Sequence, residues 1–276
     1  MKAAKEAFGF CIAALQTTVV SLPPLASPSH PETITEYTMP YKLIAFDLDG
    51  TLTQHRTPLE EKNRSVLERL AKKYQLLMVG AGACLRIFGQ MAGFPIDVIG
   101  NYGMQVSRYN PETKTLDIIE DAHCEPDREH ALRECDALRK KYGYTDYAGE
   151  AVEFHASGMI TFPLLGTKAK IEDKLAFDPD RRKRKVMYDD VVAAFPGCTV
   201  FIGGSSSFDI APYPYNKYYA LDQYCKAHGL THDEVAYVGD DYGIGGNDEQ
   251  VYHSDIRFFT VNDYRKLEDA LAELLD

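Results

Sequence analysis

Several things are scarce in this chain. None of its six cysteines (Cys11, Cys84, Cys124, Cys135, Cys198, Cys225) forms a Cys-x-x-Cys pair. That argues against a zinc site or a disulfide framework and for free thiols in a reducing cytoplasm. No apolar run is long enough to span a bilayer, so no membrane partner is expected. Positive charge is also short: 30 Lys and Arg against 41 Asp and Glu leave a net charge of -11. This balance lacks the basic footprint of a nucleic-acid binder. Neither an internal repeat nor a long low-complexity segment is present. What remains is a chain of 276 residues, 45% of them hydrophobic, enough for one or two domains with a sizeable core.

Residues 1–40 stand apart. Lys2 and Lys5 precede a moderately apolar stretch broken by Gln16, Thr17 and Thr18, and a Pro- and Ser-rich segment follows. The broken apolar run fits a leader or extension ahead of a start at Met39 better than a secretory signal cleaved near Ala26.

The rest is organised around Lys42-Leu43-Ile44-Ala45-Phe46-Asp47-Leu48-Asp49-Gly50-Thr51. A short apolar run ending at a turn reads as a buried, parallel strand. Residues at the carboxyl end of such a strand face the crevice where α/β proteins bind ligands. Asp47 and Asp49 would lie close there and repel unless a cation or proton is shared. A hard divalent ion, Mg²⁺ above all, fits that need.

Apolar spacing predicts a helix over 58–73 and a second buried strand over 75–79. That strand ends at Gly80-Ala81-Gly82-Ala83, a turn able to offer N–H groups to an anion. A third short strand closes at Ile99, so the pattern is βαβαβ, the mark of a doubly wound parallel sheet. The pattern then changes. A charged helix over 122–142, alternating strands, one long charged helix over 168–195 and two further strands suggest an inserted α+β cap. Within it, Arg181-Arg182-Lys183-Arg184-Lys185 reads as a solvated helix face. The α/β pattern returns with a helix near Tyr218, a strand ending at Gly239-Asp240-Asp241, the segment Gly245-Gly246-Asn247-Asp248, a strand over 256–261 and a last helix over 263–275. The expected domains are a core over 41–120 and 207–276, and a cap over 121–206. Asp240 occupies the same kind of strand end as Asp47, so the two could share one cation. Lys217 would offset charge around a phosphate.

These residues carry a resemblance. Asp47-Leu48-Asp49-Gly50-Thr51, Lys217, and Gly239-Asp240 with Asn247-Asp248 resemble the ordered motifs of the haloacid dehalogenase (HAD) superfamily, subfamily IIB. More narrowly, Arg56, Glu153-Phe154 with Gly158-Met159, and Ser207-Phe208-Asp209 are similar to the eukaryotic-type phosphomannomutase branch. The resemblance covers 41–276. It implies a Rossmann-like core, Asp47 as nucleophile and Asp49 as general acid/base. It implies Mg²⁺ held by Asp47, the Asp49 carbonyl and Asp240, with Lys217 stabilising the phosphoryl group. Gly50, Thr51, Arg56, Gly80, Gly82, Lys174, Ser207, Asp209 and Asn247 would bind substrate. Pairing of copies through the cap is a further expectation.

The departures matter as much. The glycine turn lacks the Ser or Thr hydroxyl the family uses, and Gly82→Ser is expected to be tolerated or to raise the rate. Where the mutases carry cap arginines, this chain has His155 or Ala156, Thr167, Lys174 and Ile202. Arg and Lys are not equivalent at bidentate phosphate sites. The sequence therefore points first to a Mg²⁺-dependent phosphatase acting on a small phosphorylated metabolite such as a sugar phosphate. A phosphomannomutase and a catalytically weak sugar-phosphate binding protein are the alternatives.

Overall fold

Strand β1 (Leu43–Phe46) is buried along its whole length because it lies between two parallel partners and under helices on both faces. Successive side chains of a strand point to opposite faces. Accordingly Ile44 and Phe46 enter one apolar cluster, and Leu43 and Ala45 enter another on the far side. A computed structural model describes residues 41–276; the expectations for 1–40 lie outside them. Among the described residues no helix is long and apolar enough to cross a membrane.

Helix α1 (Glu61–Leu70) buries Val66, Leu67 and Leu70, the apolar stripe its spacing predicts. It leads to β2 (Gln75–Val79), α2 (Cys84–Gln90) and β3 (Asp97–Gly100). An antiparallel hairpin then extends the sheet: β4 (Gln105–Asn110) and β5 (Thr115–Asp121). The sequence reading missed this hairpin. On β5 only Leu116 is buried, while Ile118 and Ile119 face solvent, so the alternation that marks a half-buried strand is absent.

The cap follows. It holds α3 (Arg128–Tyr142), β6 (Glu153–Phe154), β7 (Ile160–Pro163), α4 (Ile171–Phe177), α5 (Arg182–Ala194), β8 (Cys198–Phe201) and β9 (Ser207–Pro212). Its antiparallel sheet runs β6-β7-β9-β8. Helices α3 and α5 cover one face through Ala131, Cys135, Leu138, Met187 and Val191. Two expectations are corrected here. The charged segment over 168–195 is two helices, because Pro179 cannot continue a helix and Arg181 sits at φ 60. The cap also extends through Pro212, because β9 pairs with β7 and β8 and not with the core sheet.

The chain returns to the core with α6 (Lys217–His228), β10 (Val235–Gly239), α7 (Glu249–Tyr252) and β11 (Arg257–Thr260). The core sheet is ordered β11-β10-β1-β2-β3-β4-β5. The last helical segment is broken into short pieces, including α8 (Leu267–Ala270) and α9 (Ala272–Leu275). The carboxyl ends of β1, β2 and β10 meet beneath the cap sheet. Tyr102, after β3, stacks on Phe201 of the cap at 4.2 Å between ring centres.

Candidate active site

Asp47 follows β1 directly. Its N–H donates to the Val238 carbonyl at 2.9 Å, which carries the strand ladder one residue further and buries the side chain. Asp240 leaves the neighbouring strand β10. Gly50 turns the chain there at φ 100, and a Cβ on it would stand 2.3 Å from Asp240 Oδ2, so only glycine permits the approach. The buried Thr51 hydroxyl donates to Asp240 Oδ1 at 2.8 Å. The expectation that Gly50 and Thr51 meet substrate is thus corrected. They hold Asp240, and neither lines the cavity.

Lys217 is the first residue of α6, whose start is capped by the Asn216 side chain. It is fully buried, and its Nζ donates to Asp47 Oδ1 at 2.5 Å, Asn247 Oδ1 at 2.7 Å and Asp248 Oδ1 at 2.8 Å. A buried ammonium persists only with such partners. Burial pushes its pKa down, but the Asp248 and Asp47 carboxylates outweigh burial and hold it above the ordinary lysine value. Burial pushes Asp47 well up; Lys217 opposes this, while Asp248 and Asp240 add to it. Burial, then Asp248, raises Asp240 to about 6. Asp248 also accepts from the Tyr237 hydroxyl at 2.6 Å and from the Asp240 and Asp241 N–H groups.

One carboxylate oxygen each from Asp47, Asp240 and Asp248 lie within 4.8 Å of one another. Three hard oxygen donors, those of Asp47 and Asp248 buried and that of Asp240 half-buried, with the Lys217 ammonium beside them, fit a divalent ion such as Mg²⁺. Asp248 is the member the sequence reading left out, although its place after Gly-Gly-Asn was a signal. The Asp49 carboxylate is not in this cluster. It accepts from Gln90 Nε2 at 2.6 Å and from the Arg56 N–H at 2.7 Å, with Arg86 Nη1 at 3.9 Å and His55 Nδ1 at 3.8 Å. His55, Arg86 and Gln90 went unnoticed in the sequence because their link to Asp49 is spatial.

The cavity between core and cap measures about 560 Å³. Asp47, Asp49, Arg56, Gly80, Gly82, Ser207, Asp209 and Asn247, all singled out in the sequence, line it. The cap side adds Glu153, His155 and Arg181, and His123 comes from the linker before α3. Asp209 on β9 accepts from Thr161 Oγ1 at 3.0 Å and from the Tyr102 hydroxyl at 3.2 Å, and burial raises its pKa. Arg181 pairs with Asp241 of the core. Lys174 is a correction. Its ammonium donates to the Thr167 carbonyl at 3.0 Å, and neither residue lines the cavity. Arg184, expected on a solvated face, is fully buried, pairing with Asp178 at 2.9 Å and donating to the Gly203, Gly204 and Ser207 carbonyls.

Comparison with known proteins bears on this geometry. The family model described as eukaryotic phosphomannomutase matches residues 141–273. A phosphomannomutase from Encephalitozoon cuniculi is 28% identical over 84% of this chain and 94% of its own length. Among solved structures, an IMP-nucleotidase from Plasmodium falciparum shares the fold with a TM-score of 0.59 at 16% identity, over 85% of this chain and 70% of that one. BT1666 from Bacteroides thetaiotaomicron, described among phosphatases of the HAD superfamily, shares it with a TM-score of 0.56 at 13% identity, over 89% and 99%. By sequence, then, the chain is similar to the phosphomannomutases over most of its length, and it shares its fold with the IMP-nucleotidase and with BT1666.

Proposed function

We propose that the chain moves a phosphoryl group on a hexose phosphate, the reaction its relatives' name describes for mannose phosphates. The observation that carries the reading is Asp47: a carboxylate at the cavity wall whose Oδ1 is fixed by the buried Lys217 ammonium. An Asp47 oxygen attacks phosphorus, a P–O bond to Asp47 forms, and the bond from phosphorus to the sugar oxygen breaks. Asp49, held by Gln90 and the Arg56 N–H, gives its proton to the leaving oxygen. In the second half Asp49 takes a proton from the free hydroxyl of a hexose monophosphate, and that oxygen removes the phosphoryl group from Asp47; with a hexose bisphosphate as the first donor, the two halves release one monophosphate isomer and regenerate a bisphosphate from the other. Mg²⁺ held by Asp47, Asp240 and Asp248 would offset charge on the transferring group. Lys217 opposes the upward push of burial on Asp47 and holds its side chain in place for attack. The cap excludes water while the aspartyl phosphate persists.

Hydrolysis is the second reading, and one observation favours it. Thr167 and Lys174 lie off the cavity, Ile202 is buried in the cap core, and Arg181 is committed to Asp241. The cap wall therefore offers little positive charge for a second phosphate. Phosphorus NMR of the Mg²⁺-loaded full chain with mannose 1-phosphate, with and without a hexose bisphosphate, separates the two. Mannose 6-phosphate that needs the bisphosphate supports the mutase. Inorganic phosphate as the only product replaces it with the hydrolase, and no product overturns both.

A further inference from the structure

The glycine turn after β2 has no polar side chain, yet it borders the cavity that holds Asp47 and Asp49. We propose that Arg86 is a substrate-binding residue, its guanidinium resting over Gly82 in this structure and swinging off the turn to grip oxygens of the transferring phosphoryl group through its Nε–Nη2 edge. The proposal rests on the phosphoryl-transfer reading above and names a ligand for that same site.

Arg86 stands four residues after Gly82, and side chains on a helix lean toward its N-terminus. The guanidinium therefore comes to lie over the turn. A Cβ at Gly82 would stand 2.1 Å from Nη2, 2.3 Å from Nε and 2.5 Å from Cζ. The backbone does not require glycine there, because Gly82 is absent from the positive-φ positions. Glycine at 82 thus serves space, and the guanidinium is what fills it.

The donors divide cleanly. Nη1 donates to Gln90 Oε1 at 3.0 Å. Its 3.9 Å separation from Asp49 Oδ2 is too long for a hydrogen bond, and Asp49 already accepts from Gln90 and the Arg56 N–H. Nε and Nη2 have no hydrogen-bond partner among the described residues. Two parallel N–H donors on one edge match two oxygens of a phosphoryl group. The side chain is 46% exposed and lines the cavity, so the guanidinium is free to leave the turn and present that edge to a ligand. The earlier expectation for Gly82→Ser changes accordingly: a serine there displaces the guanidinium.

The test uses the Mg²⁺-loaded full chain, with inorganic phosphate as competitive inhibitor of phosphoryl transfer. Arg86→Ala is expected to raise both the inhibition constant and KM about tenfold or more, with a smaller fall in kcat. Arg86→Lys, which keeps charge without the edge, is expected to restore only part, and it serves as the readout if the alanine variant folds poorly. Gly82→Ser is expected to weaken phosphate binding in the parent and to add nothing further in the Arg86→Ala background. An unchanged inhibition constant in both Arg86 variants of an active enzyme overturns the proposal. So does a shifted pH–rate profile with unchanged phosphate binding, which would mean Arg86 acts only through Asp49. A wild type that neither turns over nor binds phosphate overturns the phosphoryl-transfer reading itself.

Discussion

Arg184→Met should expose how much of the substrate-facing wall hangs on one buried ion pair. The Arg184 and Asp178 side chains are each 1% exposed and meet at 2.9 Å. Burial pushes the Asp178 carboxyl up, but the hydrogen bond from Arg184 and the N–H groups of Lys183 and Arg184 bring it below the usual carboxylate value. Removing the guanidinium leaves a buried carboxylate with only those N–H groups, and strips a donor from the Gly203, Gly204 and Ser207 carbonyls. Breaking one side of a buried pair costs about 3–5 kcal/mol, and in a chain of this size that lowers Tm by about 6–20 °C. The pH dependence has a definite sign. In the wild type the lowered pKa gives stability that is present above the unfolded value and lost as pH falls through the folded one. In the variant burial dominates, Asp178 takes up a proton more readily, and the Tm gap to wild type narrows as pH falls toward about 4. Thermal melts across pH, with Asp178→Asn and the double variant completing a cycle, measure both effects. A gap of under about 2 °C, or one constant with pH, would refute the reasoning. Because the clamped loop carries Ser207 and packs Gly203 against Asp209, KM should rise more than kcat falls.

Other outcomes follow from the same geometry. Asp47→Asn should lower turnover about a thousandfold or more while the protein stays folded; appreciable activity in a phosphate-release or isomerisation assay removes Asp47 as nucleophile. EDTA should abolish activity and Mg²⁺ should raise Tm, since Asp47, Asp240 and Asp248 gather around one point; activity indifferent to EDTA would exclude the metal cluster. Arg181→Ala should leave Tm nearly unchanged, because part-exposed pairs contribute about 0–1 kcal/mol, yet raise KM by loosening the Asp241 contact. A large drop in Tm would show that the pair is structural.

Sequence legibility followed the range of the interaction. β1, its two carboxylates and the later return of βα units could be read because they are local patterns: an apolar run, a turn, a helical stripe. Asp240 could be placed because parallel strands bring their carboxyl ends together whatever the connections, and Lys217 because its order in the chain matches the resemblance. Asp248 was harder, since Asn247 and Asp248 are adjacent and only the fold decides which joins the carboxylates. Arg86 and Gln90 sit on one helix at the spacing that puts side chains on a common face, but nothing local says that this face meets Asp49. Lys174 shows the opposite error: a basic residue at a suggestive position whose ammonium is taken up by the Thr167 carbonyl and does not reach the cavity. The Arg181–Lys185 run hid two fates in one stretch of charge, with Arg184 buried in the cap and Arg181 reaching the cavity.

The cap is joined to the core covalently along one margin only, through 122–127 and 213–216. The opposite margin is closed by non-covalent contacts, the Arg181–Asp241 pair and the Ile202 N–H to the Gly245 carbonyl at 2.7 Å. The assembly is thus a clasp: its hinge axis passes through the two crossings, and its fastener is the loop that follows β10. One of those crossings ends at Lys217. An opening of the cap would therefore pull on the same helix start that fixes the ammonium beside Asp47, coupling access to the cavity to the charge that faces it.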